Sequence, residues 1–149
     1  DTALVISSSG CNVVPIEMAE EFHKKKIKVV ALITKGHSEV STSKRKDGKK
    51  LSDFADLILD TGAPVGDAMV KIPNLETPVG PGSSVGGVLL INCIKVELAR
   101  LLTAAGQPPK VLSAAVVVGA DKATELFESA YDEHAHRLSG LYRNVGQPT

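Results

Sequence analysis

Apolar residues along this chain fall into two rhythms. Short unbroken runs, "ALVI" (Ala3–Ile6), "KVVALIT" (Lys28–Thr34) and "LIL" (Leu57–Leu59), have the length and β-branched content of strands that a parallel sheet covers on both faces. Between the first two, Ile16, Ala19, Phe22 and Ile27 recur at helical spacing among charged residues, and "HKKK" (His23–Lys26) sets cations in the last turn, where they oppose the negative end of the helix dipole. The pattern predicts a β-α-β unit with a right-handed crossover.

Beyond it, the polar stretch Lys35–Lys50 predicts a long loop, and "LSDF" one helical turn feeding the third strand. "AMVKI" (Ala68–Ile72) predicts a short fourth strand or an extended edge piece. Gly80, Pro81 and Gly82 then predict an irregular turn into a long helix that runs to about Ala104, before Gly106, Pro108 and Pro109 end it. From Val88 to Ile94 that helix is apolar nearly all round, so it predicts burial in the domain centre or between two copies of the chain. Gly86 and Gly87 would let it approach another backbone closely. Ala114–Val118 reads as a last strand, and about Lys122 to Arg143 as an amphipathic helix with Leu126, Ala130, His134 and Leu138 on one stripe. This order of elements is that of the doubly wound α/β class, a parallel sheet with helices on both faces and ligands beyond the carboxyl ends of the strands.

Composition narrows the function classes. With 149 residues and 43% hydrophobic content, one core and a single domain over residues 1–149 are expected. Lys plus Arg and Asp plus Glu each number 17, so the net charge is zero, and nothing global favours nucleic acid or an anionic membrane. The basic run "KRKDGKK" (Lys44–Lys50) lacks the interleaved aromatics of a nucleic-acid strip and reads as a solvated loop that could fold over a phosphate. Cys11 and Cys93 show no metal-ligand spacing and fit a reducing cytoplasm, and no apolar run is long enough to span a bilayer. His134 and His136, two apart on a helix, point in different directions and cannot chelate one ion. No metal and no cofactor is expected.

The chemistry concentrates where the first strand ends. Ser7, Ser8 and Ser9 supply hydroxyls, Gly10 a tight turn, and Pro15 the opening of a helix whose free amides carry partial positive charge. Hydroxyls and amides converging between strand and helix make a pocket for an anion, most plausibly a phosphate.

These residues resemble the sugar isomerase (SIS) domain. "VISSSG" before a Pro-containing helix start, the "KVVALIT" strand, "ADLILD" and "VGPGSSVGGVLLIN" follow one another as the family's motifs do, from Ala3 to about Ala105. The arrangement is most similar to a phosphosugar-binding branch likened to phosphoheptose isomerase. The resemblance implies a flavodoxin-like sheet, here expected to lack the N-terminal strand and helix of the complete domain, since the chain opens on Asp1 almost directly in a strand. It also implies a phosphate held by Ser7, Ser8, Ser9 and Gly10, Ser83 and Ser84 on the far rim, and a homodimer or higher homo-oligomer. Where many members place Pro sooner after Ser-Gly, this chain is two residues longer, which shifts Asn12 within the phosphate site. The family's other phosphate turn has no counterpart here.

An aldose-ketose interconversion needs a base beside the carbonyl and an acid on its oxygen, tasks for a carboxylate and a histidine near neutral pH. The candidates are Glu17 in the first helical turn, His37 after the second strand and Glu76 near the pocket rim. The expected function is therefore binding, and isomerisation, of a sugar phosphate. The alternatives are a non-catalytic sugar-phosphate sensor and an etherase or lyase acting on amino-sugar phosphates.

Overall fold

The computed structural model describes residues 1–143. Its architecture is α/β. Strands β1 (Thr2–Ile6), β2 (Lys28–Ile33) and β3 (Leu57–Asp60) form a parallel sheet in the order β1-β2-β3, with Val5 opposite Ala31 and Ala31 opposite Ile58. Helix α1 (Val13–Lys24) connects β1 to β2. Because side chains alternate along a strand, Val29, Ala31 and Ile33 of the central strand share one face with Val5. There they pack with Ile16 and Ala19 of α1 and with Leu51 in a fully buried cluster, flanked by Phe22 and Phe54. Leu32 points the other way and is buried as well, lying within reach of Gly87. From Val29 to Ile33 the central strand is thus apolar, as its sequence requires.

The segment after β2 is not all loop. Lys35–Val40 form a six-residue helix, α2, too short and polar to show a periodicity in sequence. The following residues wrap back onto the turn after β1: the Lys44 amide donates to the Cys11 carbonyl (2.9 Å) and the Leu51 amide to the Gly10 carbonyl (2.8 Å). The predicted single helical turn before β3 is a 3-10 turn at Leu51–Phe54.

The fourth strand, β4 (Ala68–Val70), does not join the parallel sheet. It pairs antiparallel with β5 (Val79–Pro81), Val70 opposite Val79, as a separate two-stranded ribbon. The sequence reading of Gly80-Pro81 as a plain turn is corrected here: a proline is tolerated on an edge strand, where its missing amide breaks no ladder bond. The long helix, α3, spans Gly82–Ala104 as expected.

Contacts divide the chain into two units, Asp1–Lys95 and the remainder from Val96. In the second, Ala115–Val118 is a helical turn, α4, and not the expected last strand; Val116 and Val117 are exposed. A four-residue apolar run fits either structure, and among the described residues no strand pairs with it. Helix α5 covers Ala120–Arg143. Lys110 is tied to it by bonds to Ser129 and an ion pair with Glu133. Among the described residues no helix is long and apolar enough to cross a membrane.

Candidate functional site

The carboxyl ends of β1, β2 and β3 carry a continuous set of polar groups. The turn Ser7–Asn12 follows β1. It is closed by the Gly10 amide donating to the Ser7 carbonyl (3.0 Å) and anchored to the neighbouring strand by the Ser7 amide on Leu32 and the Thr34 amide on Ser8. Gly10 has φ +64°, the left-handed region, and a Cβ there would stand 3.4 Å from both Leu51 Cβ and Ser38 Oγ. Glycine is needed for conformation and for space.

The serines are not equivalent. Ser8 Oγ bonds Thr34 Oγ1 (3.3 Å), and Thr34, fully buried, bonds Thr61 Oγ1 (2.6 Å), so a hydroxyl chain links the ends of all strands in the parallel sheet. Ser9 Oγ accepts from the Cys11 amide (3.2 Å), which leaves its own proton to donate. Ser7 is only 9% exposed, its hydroxyl has no protein partner among the described residues, and it lines a groove with Asn12, Val14 and Pro15 at the start of α1. The amides of Ser8, Ser9, Asn12 and Val13 likewise have no protein acceptor there. Cys11 turns inward instead, its thiol donating to the carbonyls of Ser9 and Ser41.

Asn12 occupies the N-cap position of α1 without capping it. Its side-chain oxygen accepts from Lys44 Nζ at 2.7 Å. Because the helix starts at Val13, Pro15 is its third residue and Glu17 its fifth, so Glu17 is not in the first turn; it is exposed. Proline in the first turn removes no bond, since those amides have no intrahelical acceptor.

Ser83 and Ser84 stand differently. The carboxylate of Asp67 accepts from the Ser83 amide (2.7 Å) and from the Ser83 hydroxyl (2.8 Å), so Ser83 is consumed in holding the start of α3. Ser84 is exposed and lines a shallow groove with Val85, Val88 and Leu89. The start of α3 nonetheless abuts the sheet, because at Gly86 a Cβ would lie 2.3 Å from the Thr61 carbonyl oxygen. At Gly87 the contact is ordinary.

Of the acid-base candidates, His37 is half-buried in α2, and its Nδ1 accepts from the Gly66 amide (3.2 Å). That bond assigns the proton to Nε2 in the neutral ring. Glu76 is exposed between β4 and β5. Asp60, which the sequence reading did not single out, ends β3 and accepts from the amides of Lys35 and Gly62 (both 3.0 Å). These bonds hold its carboxyl below the ordinary value. Thr34 and Thr61 were also missed, although each is a hydroxyl residue at the carboxyl end of an apolar run. Asp67 had no local signal, since its role depends on Ser83, and Lys44 was visible only as part of a basic run that could fold over a phosphate, its contact with Asn12 being far away in sequence. Among the described residues no three His, Cys, Asp or Glu side chains gather as a metal would need.

No protein-family model matches the chain. It is similar to a UPF0309 protein of Halalkalibacterium halodurans, 44% identical over 121 residues, which are 81% of this chain and 50% of that relative. A UPF0309 protein of Listeria innocua is 32% identical over 133 residues (89% and 54%), and one of Brucella canis 33% identical over 136 (91% and 55%). The chain thus spans about half the length of these curated relatives. Their names specify no ligand and no reaction.

Proposed function

We propose that this chain binds a phosphorylated sugar beyond the carboxyl ends of its parallel strands and isomerises it between aldose and ketose forms, in the cytoplasm. The observation that carries the reading is the turn Ser7–Asn12, where hydroxyls and main-chain amides without protein acceptors meet the amino end of α1. A dianion satisfies several such donors at once and is favoured by the helix dipole. Ser9 and Ser7 donate to it, and Ser8 does so through a hydroxyl oriented by Thr34. His37 suits the acid role, because with Nδ1 occupied its Nε2–H is left to protonate a carbonyl oxygen.

A second reading, binding without turnover, is favoured by the two glutamates: Glu17 and Glu76 are both exposed, and neither makes a hydrogen bond or ion pair among the described residues. Thermal shift against sugar phosphates tests the shared part. Ligands of the folded form raise the melting temperature by mass action, whereas the unphosphorylated sugars leave it in place. No shift with any phosphorylated sugar rejects both readings. Incorporation of deuterium from heavy water into a bound ligand then separates isomerase from sensor, and no exchange at saturation rejects the isomerase.

The proposal includes a second copy of the chain as partner. Val88 (63% exposed) and Leu89 (62%) lie in a stretch of α3, Val85 to Ile94, that contains no charged residue. Exposed apolar surface of this kind is characteristic of an interface. Light scattering at the dimer mass supports it, and a monomer at all concentrations counts against it.

A further inference from the structure

The basic run Lys44–Lys50 divides by partner. Arg45 pairs with Glu20 (2.7 Å) and Asp47 (2.7 Å) and lies over the Phe54 ring. Lys49 is held over the same ring, and Lys50 Nζ reaches the Ser38 and Glu39 carbonyls at the end of α2. These cations are engaged in fastening the loop to the fold. Lys46 shows no side-chain partner among the described residues, and Lys44 is the cation of the run whose ammonium reaches the serine turn, at Asn12.

Its main-chain amide is fixed to the Cys11 carbonyl, which sets the residue against the serine turn, and its ammonium meets only the neutral amide oxygen of Asn12. No carboxylate forms an ion pair with it among the described residues. Asn12 in turn lines the same groove as Ser7, a mostly buried residue whose solvent-reaching hydroxyl has no protein partner among the described residues. A hydroxyl without a protein partner, on a residue only 9% exposed, and an ammonium bonded to Asn12 therefore meet at the serine turn. The rest of that groove is apolar, lined by Leu4, Val14, Met18 and Phe22 among others.

We propose that Lys44 is the cation of the anion site: its ammonium, steadied by Asn12, neutralises the charge of a phosphate monoester held by Ser7 and the amino end of α1. The inference rests on the phosphate reading given above and adds the source of charge for it. A site of hydroxyls and amides alone supplies only dipoles, whereas a charge-assisted bond is about twice as strong as a neutral one. It also supplies a screened, salt-dependent attraction.

The test is equilibrium binding by calorimetry of inorganic phosphate, glucose 6-phosphate and glucose to the 149-residue chain and to Lys44→Gln and Lys44→Arg, at low and at moderate salt. Circular dichroism and melting temperature establish that the variants fold. Glucose 6-phosphate and phosphate are expected to bind the parent chain and glucose not to bind. Lys44→Gln should weaken both anions about tenfold and flatten their salt dependence, and Lys44→Arg should keep most of the affinity. Anion binding by Lys44→Gln within twofold of the parent, with the same salt dependence, overturns the role of Lys44 and leaves the serine turn standing. Anion binding absent from the parent chain overturns both.

Discussion

Two segments of this chain look alike in sequence and do different work. Ser7–Asn12 and Gly80–Gly86 are both Gly- and Ser-rich and both lead into a helix. At the start of α3 an acid answers the donors: Asp67 takes the Ser83 amide and hydroxyl together. At the start of α1 no acid does so among the described residues, Asn12 leaves the helix uncapped, and the Ser7 hydroxyl and the amides of Ser8, Ser9, Asn12 and Val13 stay without protein acceptors. The cap and the proposed anion site thus use the same donors. What distinguishes them is whether the fold supplies the negative charge itself.

The strongest way to break the comparison is at the glycines. Gly86→Ala drives a methyl group into the Thr61 carbonyl and is expected to cost about 3 kcal/mol, the upper range for overpacking. Chemical denaturation measures it. Gly10→Ala forces a left-handed turn on a residue with a Cβ and should cost about 1–2 kcal/mol. It should also abolish phosphate-ligand binding in the fraction that remains folded, whereas Gly86→Ala should not. Asp67→Ala removes an acid that caps α3 and should cost about 1 kcal/mol, read as a lower denaturation midpoint, with affinity at the serine turn unchanged. Ser8→Ala with Ser9→Ala moves both readouts: loss of the bonds to Thr34 and the Cys11 amide should cost about 1 kcal/mol, while affinity for a sugar phosphate falls about tenfold.

The smallest effect is in the acid range. Asp60, on the Lys35 and Gly62 amides, and Asp56, on the Val29 amide and Lys28, titrate below their ordinary values in the folded chain. The folded state therefore favours the ionised carboxylates. Their contribution is full above the unfolded value of about 3.9 and is lost as pH falls through the lower folded one. Denaturation midpoints at pH 7 and pH 3 should differ less for Asp60→Asn than for the parent chain.

Much of the first unit was legible because its signals are local and periodic. The unbroken apolar run of β2 announces a central parallel strand, and Ile16, Ala19 and Phe22 announce the face of α1 that meets it. Legibility fails where structure depends on distant partners. Helix α2 is a single polar stretch of six residues, and β5 exists only because Val70 pairs with Val79. Ala115–Val118 has the composition of a strand but pairs with none among the described residues. At the site the serine turn was visible, since hydroxyls after an apolar strand are a local pattern. Its supports were not: Thr34 and Thr61 act through one another, and Lys44 reaches Asn12 from a different loop. Ser83 shows the converse, a residue of the right type whose amide and hydroxyl already donate to Asp67.

The most direct test follows main-chain amides in a nitrogen-15 correlation spectrum while a hexose phosphate is added, with the free hexose as control. The account predicts that the resonances of Ser8, Ser9, Asn12 and Val13 move with the phosphorylated sugar alone, while Ser83, already bonded to Asp67, stays in place. Shifts centred on Ser83 and Ser84 with Ser8 to Val13 unmoved, or no shifts at all, would contradict it.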